Sequence, residues 1–335
     1  MKLLISLILS LNLSSSVFEE VKMQYENIDR SYLVYYPKNE DIKNPVNLFI
    51  GLHGYTGTAS GFEKETTGGF NNMADKYNFI SVYPQGLFFK NTNDPSYPFV
   101  SSWNDLAGSK TRTPTGEICS LDADKYPKYP NCNGGRCAWT SCNDDLGFIK
   151  AVIDKLKETN NIKDIYVLGM SNGGMMAQAL ACKYPSMFKV VVNIVGMQHQ
   201  GLSCIPSDPI NFIFYGGEKD KVVPPINVKA DDGYFYEPIS KSFNEWSNKF
   251  QCESFNSNNF FFHDKFTKNV ASDCIEGVKV ISILNHDRGH LWPGLSSSGG
   301  YCSTVSQTSL NLTPCSNDSK NLWGNEFILD IIFNL

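Results

Sequence analysis

Short apolar runs recur along the chain, and each ends at glycine or at polar residues. The runs are rich in β-branched and aromatic residues, which predicts buried β-strands. The clearest examples are residues 46–52, 164–168, 210–215 and 278–284.

Helical patterns lie between these strands. Leucine and isoleucine recur every three or four residues over 144–158, so one face of a helix is expected to pack on the sheet. Residues 60–76 and 325–333 also predict helices, and the second of these closes the chain. The alternation of strand and helix predicts an α/β fold, with a mostly parallel sheet and helices on both faces.

The sequence Gly-Met-Ser-Asn-Gly at 169–173 joins one predicted strand to a predicted helix. A serine at a sharp strand-to-helix turn is a nucleophile elbow. The flanking glycines have a steric role, because bulkier residues would collide with the neighbouring strand and helix. The alternative is a tight glycine turn with an incidental serine. We interpret Ser171 as a nucleophile because strand, turn and helix occur in the required order.

A serine nucleophile needs a general base, and in this architecture the histidine comes last in the chain. Two of the five histidines, His286 and His290, lie in a loop directly after the strand at 278–284. His290 is the first choice because Gly289 and a Trp-Pro-Gly sequence flank it, which indicates a shaped loop. His286 is the second choice. With Asp287 the two histidines could instead bind a metal, but no third ligand pattern occurs elsewhere.

The acid of such a triad should follow another strand. Asp220 lies in the loop after the strand at 210–215, and open α/β sheets gather functional groups at the carboxyl ends of their strands. It would hold the tautomer of His290 and stabilise the imidazolium. Glu218 is the competing acid, and a solvated loop aspartate is the plain alternative. Asp220 is preferred because a proline-bounded loop follows it.

An oxyanion hole requires two N–H donors. The first is expected to be the backbone N–H of Asn172, directly after the serine. The second is expected to be the backbone N–H of Tyr55, because the His-Gly turn that precedes it follows the strand at 46–52. His53 is interpreted as structural or orienting. The alternative for this segment is a plain βα turn.

Several motifs occur in an order that resembles one esterase family. They are Leu-His-Gly-Tyr-Thr-Gly-Thr-Ala at 52–59, Tyr-Pro-Gln-Gly at 83–86, Ser-Trp-Asn at 102–104, Asp-Asp-Leu-Gly-Phe-Ile at 144–149, Gly-Met-Ser-Asn-Gly-Gly at 169–174 and Gly-His-Leu-Trp-Pro-Gly at 289–294. The chain therefore resembles the secreted feruloyl esterases and poly(3-hydroxybutyrate) depolymerases, a branch of the α/β-hydrolases. The resemblance implies the α/β-hydrolase fold and a triad of Ser171, Asp220 and His290.

One departure from the family pattern is a long insert rich in cysteine, proline and tyrosine. We place this insert at residues 103–143, within a single domain of residues 17–335. It lies where the family builds part of its substrate surface. Trp103 and Trp292 lie beside the expected site in the sequence, and their flat rings make them the candidate substrate-binding residues.

The amino-terminal residues 1–16 have the pattern of a secretory signal peptide. Lys2 precedes a short apolar run at 3–11, and serines follow at 14–16. The apolar run is too short for a comfortable membrane span, so no membrane partner is expected. We expect a secreted protein, in which sequons at Asn311 and Asn317 would be glycosylated if the source glycosylates.

The 10 cysteines form an even set in local groups, which is typical of disulfides in an oxidising compartment. The groups are Cys119, Cys132, Cys137 and Cys142; Cys182 and Cys204; Cys252 and Cys274; and Cys302 and Cys315. Pairing within each group is the simple hypothesis, and we expect Cys182 to bond to Cys204. The first group allows three pairings, with zinc binding as the rival interpretation.

Charge excludes some partners. The net charge is −5, and no basic stripe with interleaved aromatic residues occurs, so nucleic acid is not an expected partner. Acyl transfer through serine requires no metal and no cofactor, and we expect neither.

The expected function is hydrolysis of carboxylic esters, most specifically feruloyl esters of plant cell-wall polysaccharide. A flat phenolic acyl group would stack on tryptophan, whereas a 3-hydroxybutyrate chain has no ring to stack. The alternatives are a poly(3-hydroxybutyrate) depolymerase or a general carboxylesterase. A peptidase and a non-catalytic carbohydrate-binding protein are more distant alternatives.

Overall fold

The structure is a computed structural model that describes residues 17–38, 45–65, 69–90, 99–105, 143–231, 235–295 and 323–335. The expected signal peptide, residues 106–142 of the expected insert, both sequons and six of the ten cysteines lie outside these described residues.

The described residues form strands and helices that alternate through the middle of the chain. The strands are β1 (Val17–Tyr25), β2 (Ile28–Tyr36), β3 (Val46–Leu52), β4 (Phe79–Pro84), β5 (Leu87–Lys90), β6 (Phe99–Ser102), β7 (Ile162–Met170), β8 (Val190–Ile194), β9 (Asn211–Gly217), β10 (Ser254–Phe262), β11 (Asp264–Ser272) and β12 (Val280–Asn285). The helices are α1 (Ala59–Glu65), α2 (Gly69–Tyr77), α3 (Asp145–Thr159), α4 (Asn172–Lys183), α5 (Ile239–Lys249) and α6 (Trp323–Phe333).

Ten of the strands form one sheet in the order β1-β2-β4-β3-β7-β8-β9-β12-β11-β10. The central strands from β4 to β12 pair in parallel, and the outer strands on both sides pair antiparallel. Parallel pairing puts the carboxyl ends of β3, β7, β9 and β12 at the same edge of the sheet. The loops that carry the candidate residues therefore meet there.

Helices cover both faces of the sheet. Along β3, Leu48 and Ile50 pack into one apolar layer and Phe49 packs into the other, because successive side chains of a strand point to opposite faces. Helices α3, α4 and α5 contribute to the first layer, and α1, α2 and α6 contribute to the second. The predicted fold class, a mostly parallel sheet with helices on both faces, is confirmed.

Helices occur in each segment where the sequence predicts one, and α5 is an additional helix that the sequence analysis does not predict. Helix α3 begins where the Asp144 side chain accepts a hydrogen bond from the Gly147 N–H at 2.9 Å, a standard N-cap. Within the helix predicted at 60–76 the structure describes α1 and α2, and residues 66–68 between them lie outside the described residues.

Two disulfides join described cysteines. Cys182, at the end of α4, bonds to Cys204 in the loop after β8, and Cys252 bonds to Cys274. Both pairs lie within the local groups that the sequence predicts. Each bond closes a segment of 22 residues, which corresponds to about 3 kcal/mol of stabilisation in the chain-entropy account. The described helices include none with the length and apolar character needed to cross a membrane.

Candidate active site

Ser171 occupies the sharp turn between β7 and α4. Its backbone has φ 56° and ψ −124°, a left-handed conformation that a non-glycine residue adopts at a cost of about 1–3 kcal/mol. The flanking glycines make the turn possible, because a Cβ at Gly169 would overlap the Gly173 carbonyl and a Cβ at Gly173 would overlap the Leu52 carbonyl. The local geometry is that of a nucleophile elbow.

His290 and Asp220 approach Ser171 from the loops after β12 and β9. His290 Nε2 lies 2.9 Å from Ser171 Oγ, and His290 Nδ1 lies 2.7 Å from Asp220 Oδ2. The serine and histidine are 119 residues apart in sequence, so the sheet topology brings them together. The structure thus joins the three predicted triad residues in one hydrogen-bonded chain.

Asp220 is buried and held from both sides. Its Oδ1 accepts hydrogen bonds from the backbone N–H groups of Val222 and Val223 at 2.8 and 2.9 Å, which leaves Oδ2 for the histidine. A carboxylate that accepts at Nδ1 places the proton there, so Nε2 is free to accept the proton of the Ser171 hydroxyl. The chain is therefore oriented for removal of that proton.

The loops that carry Asp220 and His290 are packed backbone to backbone. The Lys219 N–H donates to the Arg288 carbonyl at 3.0 Å, and a Cβ at Gly217 would overlap the Gly289 carbonyl. Glycine at 217 therefore allows the acid loop to approach the base loop closely.

Arg288 anchors the base loop through buried Asp264 on β11. The Arg288 guanidinium makes a two-pronged pair with the Asp264 carboxylate, with Nε to Oδ2 and Nη2 to Oδ1 both at 2.8 Å. Burial alone would raise the pKa of Asp264, but hydrogen bonds from Arg288 and Asn285 outweigh burial and hold the pKa below its ordinary value. Asp264 is therefore a charged anchor beneath the site.

The loop after β3 passes beside the nucleophile. A Cβ added to Gly54 would lie 3.3 Å from Ser171 Cβ, so the predicted oxyanion loop is adjacent to the serine. Asn172 is the first residue of α4, where backbone N–H groups have no acceptor within the helix. The assignment of the Tyr55 and Asn172 N–H groups as oxyanion donors stays a prediction.

His53 supports this loop from below. It is fully buried, its Nε2 accepts from the Gly86 N–H at 2.9 Å, and its Nδ1 lies 2.8 Å from the Gly54 carbonyl. The first contact requires an unprotonated Nε2, so Nδ1–H donates to Gly54. Burial lowers the pKa of His53 to about 4, which agrees with a neutral ring. This arrangement fits the orienting role expected for His53.

The two competing candidates bond to each other instead of to the serine. His286 Nδ1 lies 2.9 Å from Glu218 Oε2, and His286 Nε2 lies 2.7 Å from the Thr267 hydroxyl. His290 and Asp220 hold the positions beside Ser171. Among the described residues, no three histidine, cysteine or acidic side chains are grouped closely enough to hold a metal ion.

Comparison with known proteins agrees with the architecture. A family model described as the alpha/beta hydrolase fold matches residues 127–208. An acetyl xylan esterase structure from Aspergillus awamori superposes with a TM-score of 0.51 at 13% identity, covering 81% of this chain and 94% of that one. The protein has the α/β-hydrolase fold. At this identity the superposition supports the α/β-hydrolase fold alone.

Two curated relatives align with this chain in sequence, one over most of its length and one over about half. Feruloyl esterase B of Neurospora crassa is 22% identical over 274 residues, which is 73% of this chain and 78% of that protein. Probable acetylxylan esterase A of Aspergillus clavatus is 25% identical over 164 residues, or 49% of this chain. The chain spans only 41% of the length of that acetylxylan esterase and 49% of the length of a putative esterase from Nocardia uniformis.

Neither predicted substrate-binding tryptophan offers an open ring. Trp103 is 0% exposed and Trp292 is 3% exposed. The Trp292 indole N–H donates to Asn325 Oδ1 at 2.7 Å, and its ring meets the rings of Phe62 and Phe70 edge-on. A buried indole needs an acceptor for its N–H, and buried Asn325 supplies it for Trp292. The expectation of a stacking surface built from the two tryptophans is therefore corrected.

Trp103 is instead clamped to the elbow. Its backbone N–H donates to Asn172 Oδ1 at 2.7 Å, Asn172 Nδ2 donates back to the Trp103 carbonyl at 3.1 Å, and the indole N–H donates to the His53 carbonyl at 2.8 Å. Sequence reasoning missed this role for the Asn172 side chain. No local pattern could have revealed it, because 69 residues separate the partners.

Beside Trp103, hydrogen bonds join Asn104 at the start of the expected insert to Asn143 at its end. Buried Asp145 pairs with Arg30 at 2.7 Å and accepts from the Asn104 N–H at 2.8 Å. The Asn104 side chain donates to the Asn143 carbonyl at 3.0 Å. The described residues on the two sides of 106–142 are thus hydrogen-bonded to each other, and Trp103 joins them to Asn172 at the elbow.

Proposed function

We propose that this protein is a serine hydrolase that cleaves carboxylic esters through an acyl-enzyme. The observation that carries the proposal is the chain from Ser171 Oγ through His290 to Asp220 at a nucleophile elbow. The curated relatives are named as esterases, which supports the same reaction class.

The reaction would proceed in two similar halves. His290 Nε2 takes the Ser171 proton as Oγ attacks the ester carbonyl, and Asp220 stabilises the imidazolium. The backbone N–H groups of Asn172 and Tyr55 would stabilise the oxyanion. His290 then protonates the leaving alcohol, and water repeats the cycle on the acyl-enzyme. No step in this sequence requires a cofactor.

For the substrate we propose feruloyl and related hydroxycinnamoyl esters of plant cell-wall polysaccharide. The relative that aligns over the larger share of the chain is named feruloyl esterase B. The stacking argument no longer supports this choice, because Trp103 and Trp292 are buried. An acetyl ester of xylan is the second candidate, from the name of the shorter match.

The protein is proposed to act outside the cell. Two disulfides among the described cysteines favour an oxidising compartment. The signal-peptide pattern at residues 1–16 supports the same location.

A substrate panel tests the proposal. Methyl ferulate, acetylated xylan, a 3-hydroxybutyrate dimer and an amide matched to the ferulate ester are compared by kcat/KM, with Ser171→Ala as the blank. Highest turnover of the ferulate ester supports the hydroxycinnamoyl proposal. Preference for acetyl or hydroxybutyrate esters overturns it but keeps the esterase. If no ester is turned over in a Ser171-dependent way, both the hydroxycinnamoyl substrate and the serine esterase activity are overturned.

A further inference from the structure

His290 lies midway between two side chains that are fixed on different elements. Two residues before it, Arg288 pairs with buried Asp264 on β11. Two residues after it, the Trp292 indole N–H donates to buried Asn325 on α6 at 2.7 Å. The base loop is therefore held on both sides of the histidine, by β11 on one side and by the last helix on the other.

Packing fixes the Trp292 side of the loop as well. The buried indole meets the rings of Phe62 on α1 and Phe70 on α2 edge-on, at centroid distances of 5.4 and 5.9 Å. Three helices, α1, α2 and α6, thus contact one side chain. A ring that is close-packed in this way has little room to change its orientation.

The start of α6 also contacts the backbone of the base loop. A Cβ at Gly324 would overlap the Pro293 carbonyl, so glycine at this position allows the helix to approach the loop closely. On the loop, the Leu295 N–H donates to the Trp292 carbonyl at 3.1 Å and closes a turn. The first turn of α6 and the end of the base loop therefore pack as one unit.

The mechanism proposed above requires His290 to make two hydrogen bonds at once. Its ring lies 2.9 Å from Ser171 Oγ and 2.7 Å from Asp220 Oδ2. Only one residue separates His290 from Trp292, so a shift of the indole also moves the backbone that carries the base. Without Asn325 Oδ1 the indole N–H would lose its acceptor in a buried site, which favours such a shift. A misplacement of about 1 Å can lower a rate by about 10²-fold.

We propose that Asn325 is a positioning residue for the catalytic base: it accepts the Trp292 indole N–H and so fixes the loop in which His290 faces both Ser171 and Asp220. This role rests on the proposed serine hydrolase function. It makes the last helix of the chain a support of the active site, although Asn325 itself takes part in no chemical step.

Kinetics of the purified full chain on its best ester test the role, for wild type, Trp292→Phe, Asn325→Leu and the double variant. Each single change should lower kcat about 10- to 100-fold, because His290 acts in both halves of the reaction, and KM should stay within about threefold. The double variant should lose no more than the worse single variant, since both changes break the same contact. Losses that multiply in the double variant overturn the proposal.

Tyr83 and Asn71 supply a matched control in the same apolar layer. The Tyr83 hydroxyl donates to Asn71 Oδ1 at 3.0 Å, both residues are buried, and the pair joins β4 to α2 instead of the base loop. Tyr83→Phe and Asn71→Leu should lower the temperature of thermal unfolding about as much as Trp292→Phe and Asn325→Leu. They should keep kcat within about threefold of wild type. Equal losses of kcat in the two pairs would mean that general stability is responsible, and would overturn the proposal.

Proton NMR reads the position of the base without turnover. The proton that His290 Nδ1 donates to Asp220 should resonate at lower field than the backbone amides, and its loss in Asp220→Asn assigns it. The resonance should shift or broaden in folded Trp292→Phe and Asn325→Leu and stay in place in Asn71→Leu.

Two results overturn the positioning role directly. One is an unchanged kcat in folded Trp292→Phe and Asn325→Leu, and the other is an unmoved resonance in both. Should Asn325→Leu fail to fold, Trp292→Phe decides alone, because it keeps an aromatic ring in the core. A wild type without Ser171-dependent turnover overturns the proposed function instead, and the resonance still shows whether Asn325 positions His290.

Discussion

Two chains of hydroxyl, histidine and carboxylate lie side by side in this protein. One joins Ser171, His290 and Asp220, and the other joins Thr267, His286 and Glu218. In both, the histidine Nδ1 faces the carboxylate at 2.7 or 2.9 Å and Nε2 faces the hydroxyl at 2.9 or 2.7 Å. Distances alone therefore do not distinguish them.

The surroundings of the hydroxyl distinguish the two chains. Ser171 stands at a strained turn at the start of α4, beside the Gly54 loop. Thr267 lies within β11, and its hydroxyl donates to Asn259 Oδ1 at 2.6 Å. Because the Thr267 proton is already used, His286 must donate to the threonine oxygen rather than accept from it. The second histidine cannot serve as a base toward that hydroxyl in this arrangement.

The carboxylates differ as well. Asp220 is buried and receives two backbone N–H groups, whereas Glu218 is 46% exposed at its side chain. A buried, fixed acid holds the histidine ring in one orientation, while an exposed pair of this kind contributes little. Matching residue types and distances therefore indicate chemistry only when the nucleophile is free and the acid is held.

The largest expected difference is in kcat/KM, between variants of the Ser171 chain and matched variants of the Thr267 chain. Ser171→Ala and His290→Ala should each lower kcat/KM for the best ester by about 10⁵-fold, because either change removes the nucleophile or its base. Thr267→Ala and His286→Ala should stay within about threefold of wild type. Initial-rate kinetics on folded variants measure the four values. A dead His286→Ala beside an active His290→Ala would reverse the assignment.

The carboxylates should show the next largest difference. Asp220→Asn should lower kcat by about 10⁴-fold, because an amide favours the wrong histidine tautomer. Glu218→Gln is the matched control and should change kcat less than threefold. Equal losses in the two variants would mean that both acids act on the same histidine.

Removing the Asp264 carboxylate that anchors the base loop through Arg288 should lower stability. We expect Asp264→Asn to reduce the free energy of unfolding by about 2 kcal/mol at pH 7, less than for a fully buried pair because Arg288 is partly exposed. The folded pKa of Asp264 lies below its ordinary value of 3.8, so its stabilisation is present above that value and is lost as the pH falls through the folded pKa.

Urea unfolding of wild type and Asp264→Asn at several pH values checks this sign. The gap between the two proteins should be full at pH 5–7 and should shrink below about pH 4. A gap that widens in acid would show that Asp264 is not charged in the folded state.

The smallest expected effect is on the free energy of unfolding when the exposed Glu218–His286 pair is broken. Breaking it with Glu218→Gln should change the free energy of unfolding by less than about 1 kcal/mol, because exposed ion pairs contribute little and salt screens them. Urea unfolding at low and high salt measures the change. A loss of several kcal/mol would indicate that Glu218 and His286 hold the active loops in place.

Much of the fold could be predicted because its signals are local. Buried strands and amphipathic helices appear as periodicity, and α3 carries both its apolar face and its N-cap within 16 residues. In the sequence, the β10–β11 hairpin is marked only by a run of phenylalanines at 260–262. Its position at the edge of the sheet depends on the pairing of β11 with β12, which the sequence does not show.

The sequence by itself determined the elbow, the order of the candidate triad and the local pairing of Cys182 with Cys204, because glycine sterics and short separations act within a few residues or turns. Only the tertiary structure decided which histidine and which carboxylate reach Ser171, and that Trp103 and Trp292 are buried. Those outcomes depend on strand order and register, which bring loops from distant parts of the chain into contact. A side chain's partner is then set by which backbone lies opposite it, and no local pattern encodes that.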